Sequence, residues 1–156
     1  MNGRLSFIEF WTVCNATEDR EKVMAALRML SEAKAEVTLS TVNTHFGQPM
    51  SVVGCRFSGK NALGDLARRM GKGPVAEILA TLEQRLDDDN VLHFRLDKQS
   101  CVEGQPVLSS SLTPEARKEH DSIDVKVHVE TYPSSRANAV SFLSSLLDSG
   151  AGDKQG

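Results

Sequence analysis

No stretch of this chain is apolar for long enough to cross a bilayer as a helix, which takes about 20 consecutive apolar residues. Nor does the sequence start with a basic-then-apolar leader, because Glu9 and Thr12 interrupt the run from Phe7 to Cys14. Cysteine is scarce. Cys14, Cys55 and Cys101 are odd in number, far apart and without a CxxC pair, so neither a disulfide framework nor a zinc knuckle is expected. They read as reduced, buried thiols that pack like small hydrophobes. These absences lead to the expectation of a soluble, cytoplasmic protein with no membrane role. Catalytic patterns are missing too. His45, His93, His120 and His128 lack HxxxH or HExxH spacing, and there is no GxSxG, Walker or dinucleotide glycine motif. Gly71-Lys-Gly73 is too short to cradle a phosphate. The acidic run Asp87-Asp88-Asp89 does not reverse this reading, since adjacent side chains point apart and cannot converge on one ion. A solvated turn accounts for it, and no enzyme activity, metal or cofactor is expected.

What is present describes a globular chain: 156 residues, 40% hydrophobic and 25% charged. That length buries roughly two thirds of the unfolded surface as one domain. We expect a single α+β domain over residues 1–148 and a flexible polar tail over 149–156 (SGAGDKQG). The net charge of −3 excludes a generically sticky polycation, but the charge is unevenly spread. From Arg56 to Lys72, five cations face Asp65 alone, which marks a basic patch on an otherwise acidic protein.

Hydrophobic periodicity supplies the elements. Leu5–Cys14 is apolar on both alternations and reads as a central strand buried on both sides. Thr17 is placed as the N-cap of a helix over Glu18–Ser31. Two short strands, Glu36–Val42 and Met50–Ser58, flank a hairpin loop, and a helix over Asn61–Met70 ends at Gly71. Pro74 then opens a further helix whose stripe is Val75, Ile78, Leu79, Leu82 and Leu86. In Val91–Lys98, Leu92, Phe94 and Leu96 alternate with His93, Arg95 and Asp97, a half-buried strand. Residues 104–120 read as a long loop with a short turn at Pro114–Lys118. Ile123, Val125, Val127 and Val129 mark another strand, and a last helix carries Val140, Leu143 and Leu147. The order β-α-β-β-α-α-β-β-α predicts an antiparallel or mixed sheet with helices packed on one face.

Three groups of residues are candidates for contact with a polyanion. On the late strands, His93, Arg95, Lys126 and His128 face away from the apolar side, as a surface for phosphates would require. Asp97, Asp124 and Glu130 on the same strands also fit an ordinary solvated face. No aromatic residue falls on those outward positions, which argues against base stacking. Arg68, Arg69 and Lys72 form the densest cationic cluster; they equally suit the dipole at a helix C-terminus. In Thr44–Pro49, His45, Phe46 and Gln48 suit a recognition loop, and the same residues suit a plain hairpin turn with Phe46 tucked inward.

The chain resembles a known family in several places at once. Asn15-Ala-Thr-Glu-Asp19, the His45–Pro49 loop, the block Leu86–Gln99, the strand Asp121–Tyr132 and the Tyr132-Pro133 corner stand in the order of the archaeal RNA-binding proteins proposed as exosome-associated subunits. In that family an Asp-Lys-Gln is followed by small residues and a glycine, as in Asp97-Lys98-Gln99, Ser100, Cys101 and Gly104. The resemblance implies a ribosomal-protein-like α+β fold and places Lys98 and Gln99 first among the contact residues; a strand end with a snorkelling lysine fits them as well. Residues 104–121 and the tail depart from the pattern. The expectation is a non-enzymatic RNA-binding protein, accessory to RNA processing or exosomal degradation, with RNA and exosome proteins as partners. The alternative is a protein-interaction or homodimerisation module that does not touch RNA.

Overall fold

The computed structural model describes residues 2–15, 17–31, 37–43, 49–59, 61–115 and 122–153. The elements in order are β1 (Asn2–Asn15), α1 (Arg20–Ser31), β2 (Val37–Asn43), β3 (Pro49–Phe57), α2 (Ala62–Met70), α3 (Lys72–Ala80), α4 (Leu82–Arg85), β4 (Leu92–Asp97), α5 (Lys98–Val102), a 3₁₀ turn (Ser109–Ser111), β5 (Ser122–Tyr132) and α6 (Arg136–Asp153). The strands form one antiparallel five-stranded sheet in the order β2-β3-β1-β5-β4, and the α+β class read from the sequence holds. Among the described residues no helix is long and apolar enough to cross a membrane.

The chain divides into two compact units, with the long strands contributing to both. The first comprises Met1–Ile8, Phe57–Phe94 and Val125–Gly156. Its core joins Leu63, Leu66 and Met70 of α2, Val75 and Ile78 of α3, Leu82 of α4 and Leu143 and Leu147 of α6 to Ile8, Phe94 and Val127 of the strands. The second comprises Glu9–Arg56 and Arg95–Asp124. There Val23, Leu27 and Leu30 of α1 and Cys101 of α5 are buried together with Phe10, Val53, Leu96 and Ile123.

Several elements differ from the sequence reading, each for a local reason. The helix α1 begins two residues later than expected, because the Asp19 carboxylate accepts the Glu21 N–H (3.0 Å) and takes the capping role assigned to Thr17. The helix expected from Pro74 to Leu86 starts at Lys72 and breaks at Thr81. The Thr81 hydroxyl donates to the Glu77 carbonyl (2.8 Å) and accepts from Arg85 Nε (2.7 Å), competing with the helical ladder. The strand ending at Asp97 turns at once into α5: the Asp97 carboxylate accepts from both the Ser100 N–H and the Ser100 hydroxyl. The polar stretch from Ser149 continues α6 to Asp153. Gly150 is buried there, and a Cβ on it would sit 2.7 Å from Gly64 Cα, so the α2–α6 crossing needs glycine at that position. Of the Pro114–Lys118 turn, Pro114 and Glu115 are helical and residues 116–118 lie outside the described residues.

The largest correction concerns β1. Its even positions Ile8, Phe10, Thr12 and Cys14 are all buried, but Trp11 is 48% exposed and Phe7, Glu9 and Val13 are only half-buried. The helices cover one face of the sheet, so a central strand keeps an open side. Thr12 is tolerated in the core because its hydroxyl donates to the Ser122 carbonyl (2.9 Å).

Candidate nucleic-acid interface

The open face follows from the alternation of each strand. In the second unit it carries Trp11 and Glu9 from β1, Gly54 and Arg56 from β3, Asp124 from β5 and Arg95 from β4, while Val53, Cys55, Ile123 and Leu96 are buried on the other side. Arg56 Nη2 lies 2.9 Å from Glu9 Oε1, and Arg95 Nε lies 3.1 Å from Asp124 Oδ1. Both arginine side chains nevertheless stay open to solvent, 64% and 70% exposed respectively.

In the first unit the open face carries Phe7, Lys126, His128, Glu130 and His93. Phe7 and His128 stack with ring centroids 4.1 Å apart. The aromatic-free face expected from the late strands is therefore corrected: β1 brings Phe7 and Trp11 to that side. Arg4 pairs with Glu130 at 2.7 Å; this hydrogen bond and the adjacent charge hold the Glu130 carboxyl below its ordinary value. Lys126 is exposed.

The Leu86–Gln99 block divides sharply in role. Asp87 organises the turn: its Oδ1 accepts from the N–H groups of Asp89 (2.9 Å) and Val91 (3.0 Å), and its Oδ2 lies 2.7 Å from His93 Nε2. Asn90 takes the left-handed conformation (φ 62°) that closes the turn. Burial pushes the Asp87 carboxyl up, but the hydrogen bonds from His93, Val91 and Asp89 together outweigh it and leave it below its ordinary value. The Arg136 guanidinium donates to the carbonyls of Glu83, Leu86 and Asp87, tying α6 to the end of α4. His93 is thus a partner within the turn.

Lys98 requires a further correction. Expected at the surface, it is 5% exposed, and its ammonium donates to the Val13 carbonyl (2.8 Å) and to the Glu18 carboxylate. Placing it at the start of α5 turns the side chain inward. Gln99 is exposed and donates to Glu103 (3.1 Å). The basic cluster separates as well. Arg68 and Arg69 occupy the last turn of α2, Arg68 bonding Asp65 at 2.6 Å, whereas Lys72 opens α3 and is exposed. His45 lies outside the described residues. Of the predicted residues, His93, Lys126, Arg68, Arg69 and Lys72 belong to the first unit, and Arg95, Lys98 and Gln99 to the second.

Sequence reasoning missed Trp11, Arg56 and Gly54. Glu9 was the available signal, because a carboxylate at an odd position of β1 marks the odd side as wet. The three thiols are buried as expected; burial pushes Cys55 up to about 11 and Cys101 up to about 12. Among the described residues no group of three His, Cys, Asp or Glu side chains is placed to hold a metal ion.

Known proteins place this geometry in context. A family model described as RNA binding matches residues 7–129. The crystal structure of protein AF2318 from Archaeoglobus fulgidus, of the DUF54 family, is 32% identical with a TM-score of 0.72, covering 92% of this chain and 99% of its own. Mth689, a DUF54 protein from Methanothermobacter thermautotrophicus, is 30% identical with a TM-score of 0.67, covering 92% and 98%. Protein SSO0741 from Sulfolobus solfataricus shares the fold at 18% identity, with a TM-score of 0.68 and coverage of 92% and 98%. No curated protein matches the chain.

Proposed function

The chain belongs to the family described as RNA binding, the DUF54 proteins of archaea, and we propose that it binds RNA through the phosphate backbone without catalysing a reaction on it. The observation that carries this reading is the pair of solvent-facing guanidiniums, Arg56 and Arg95, on the uncovered face of the second unit. Each is held by a carboxylate, but an exposed ion pair contributes only about 0–1 kcal/mol, so a phosphate displaces it at little cost. Arginine then offers a planar fork to the incoming oxygens. Lys126, Arg68, Arg69 and Lys72 add cations in the first unit, and Gln99 adds an exposed amide in the second. The resemblance in Leu86–Gln99 supports a place for this protein beside RNA-processing or exosomal enzymes in the cytoplasm.

Fluorescence anisotropy of labelled RNA at two salt concentrations tests this reading. With about four phosphates neutralised, the log–log slope against salt for a single strand is near −3. Arg95→Ala and the double change Arg68→Ala/Arg69→Ala each weaken binding and flatten the slope. A salt-independent signal, or no binding at low salt by the folded protein, rejects the reading.

One observation favours association between copies. The strand β2 lies at an edge of the sheet, and Leu39 on it is 40% exposed. Light scattering across a range of concentrations tests for a dimer, and Leu39→Lys dissociates a dimer built on that edge.

A further inference from the structure

The single tryptophan of the chain is half-exposed in the middle strand of a sheet, a place where indole is costly to leave wet. Its surroundings follow from the register. Arg56 pairs with Glu9, and a Cβ on Gly54 would meet the Phe10 carbonyl at 3.4 Å, which fits an antiparallel β1–β3 pair with Gly54 opposite Trp11. On its other side Gly54 pairs with Thr38 of β2. One row across three strands therefore reads Trp11, Gly54, Thr38, all on the open face.

The glycine leaves a gap in that row. A Cβ on Gly54 would meet the Phe10 carbonyl at 3.4 Å and the Thr38 hydroxyl at 3.9 Å, and no indole atom lies within 4 Å of it. The Trp11 ring therefore does not fold over the glycine. Trp11 and Thr38 are two strand spacings apart, about 9–10 Å, with only backbone between them. The gap has the indole on one side and a backbone floor, and on the other side the Thr38 hydroxyl donates to the Gly54 carbonyl (3.1 Å), leaving its oxygen to accept from a ligand. Two residues along β3 on the same face, Arg56 stands at its mouth.

We infer that Trp11, Gly54 and Thr38 form a slot for one unpaired nucleobase of single-stranded RNA, stacked on the indole above Gly54 with its phosphate on Arg56. This inference rests on the RNA-binding reading and deepens it to a substrate class. A planar, apolar-faced, hydrogen-bonding ring joined to an anion complements an indole beside a guanidinium. A duplex keeps its bases stacked and paired internally and cannot fill the slot.

Because Trp11 is the sole tryptophan, its emission reports on the slot directly. The full chain is titrated with a short unstructured RNA strand and, separately, with the blunt duplex of the same sequence. The single strand quenches Trp11 emission to saturation, and the duplex leaves it unchanged. Trp11→Ala lowers single-strand affinity about tenfold, the scale of one base–aromatic stack, and Trp11→Phe recovers most of the loss. Gly54→Val fills the slot and produces a similar loss, while its thermal midpoint holds or rises because a β-branched side chain suits a strand. Salt-sensitive binding of both RNAs with unmoved emission, and equal affinities for Trp11→Ala and the unaltered chain, overturns the slot but leaves RNA binding standing. If neither RNA binds, both readings fall. Trp11 emission that shifts only as protein concentration drives dimerisation overturns the slot.

Discussion

Lys98 illustrates how a residue's role is decided by contacts far along the chain. Its neighbours Arg95 and Gln99 are exposed, and the family resemblance places it at the surface with them, although Lys98 shares the even register of the buried Leu92, Phe94 and Leu96. The Glu18 carboxylate that holds it inside lies 80 residues away and is met only after α1 and α5 have packed. An ammonium removed from water persists only if paired and hydrogen-bonded, and Glu18 with the Val13 carbonyl meets that condition. Lys98→Met leaves the Glu18 carboxylate without its counter-ion, hydrogen-bonded by the Asn15 N–H and side-chain amide, beside a closed core. A loss of about 2–4 kcal/mol in urea denaturation is expected, with part regained in Lys98→Met/Glu18→Gln. RNA affinity of the folded variant should match that of the unaltered protein. A drop in RNA affinity at unchanged stability would instead restore Lys98 to the interface. Trp11 escaped the sequence reading for the complementary reason: a strand rich in apolar residues on both alternations looks buried on both sides until the helices are seen to cover only one.

At the scale of elements, periodicity and cap chemistry made most of the fold legible. The helices α1, α2 and α6 and the strands β4 and β5 stand where the 3.6- and 2-residue patterns put them. What escaped were events settled by a few local contacts: the hydrogen bonds of Thr81 that break a helix, those of Asp97 that start α5, and the close Gly64–Gly150 approach that carries α6 on through the polar stretch from Ser149. The acidic turn belongs to the same class. Asp87 is a structural acceptor that joins α4 to β4, and its carboxyl is held below its ordinary value by His93 and two backbone N–H groups despite the opposing effect of burial. A carboxyl depressed by folding contributes stability above its unfolded value and loses it as pH falls through its folded value. Asp87→Asn should therefore be less stable than the unaltered chain at neutral pH, and the gap should narrow as pH falls below the ordinary aspartate range. Thermal denaturation of both proteins along that pH range tests it. A gap that stays constant would show that the amide's lost geometry, and not the charge, is responsible.

For the molecule as a whole, the proposed RNA binding has to be reconciled with a net charge of −3. The charge excess between Arg56 and Lys72, read from the sequence as a patch, disperses in the fold: Arg56 turns to the open sheet face and pairs with Glu9, while Arg68 pairs with Asp65 on α2. Sequence windows count charges along the chain, and a sheet redistributes them across it, which is why the fold was legible and the interface was not. The open face now shows arginines and carboxylates in pairs, Arg4 with Glu130, Arg56 with Glu9 and Arg95 with Asp124. Such pairing keeps a sheet face soluble, and under the proposed reading it sets a threshold for RNA, because each phosphate would replace a carboxylate. Removing the competitor should then tighten binding. In Glu9→Gln/Asp124→Asn each guanidinium loses a neighbouring carboxylate charge at nearly constant side-chain volume, and RNA affinity should rise several-fold at low salt, the rise shrinking as salt screens it. The salt slope should steepen, since phosphates no longer compete with those two carboxylates. Unchanged affinity would place the RNA elsewhere on the protein. A fall would mean that the carboxylates orient the guanidiniums for phosphate, so that the pairs act as preset clamps and not as competitors.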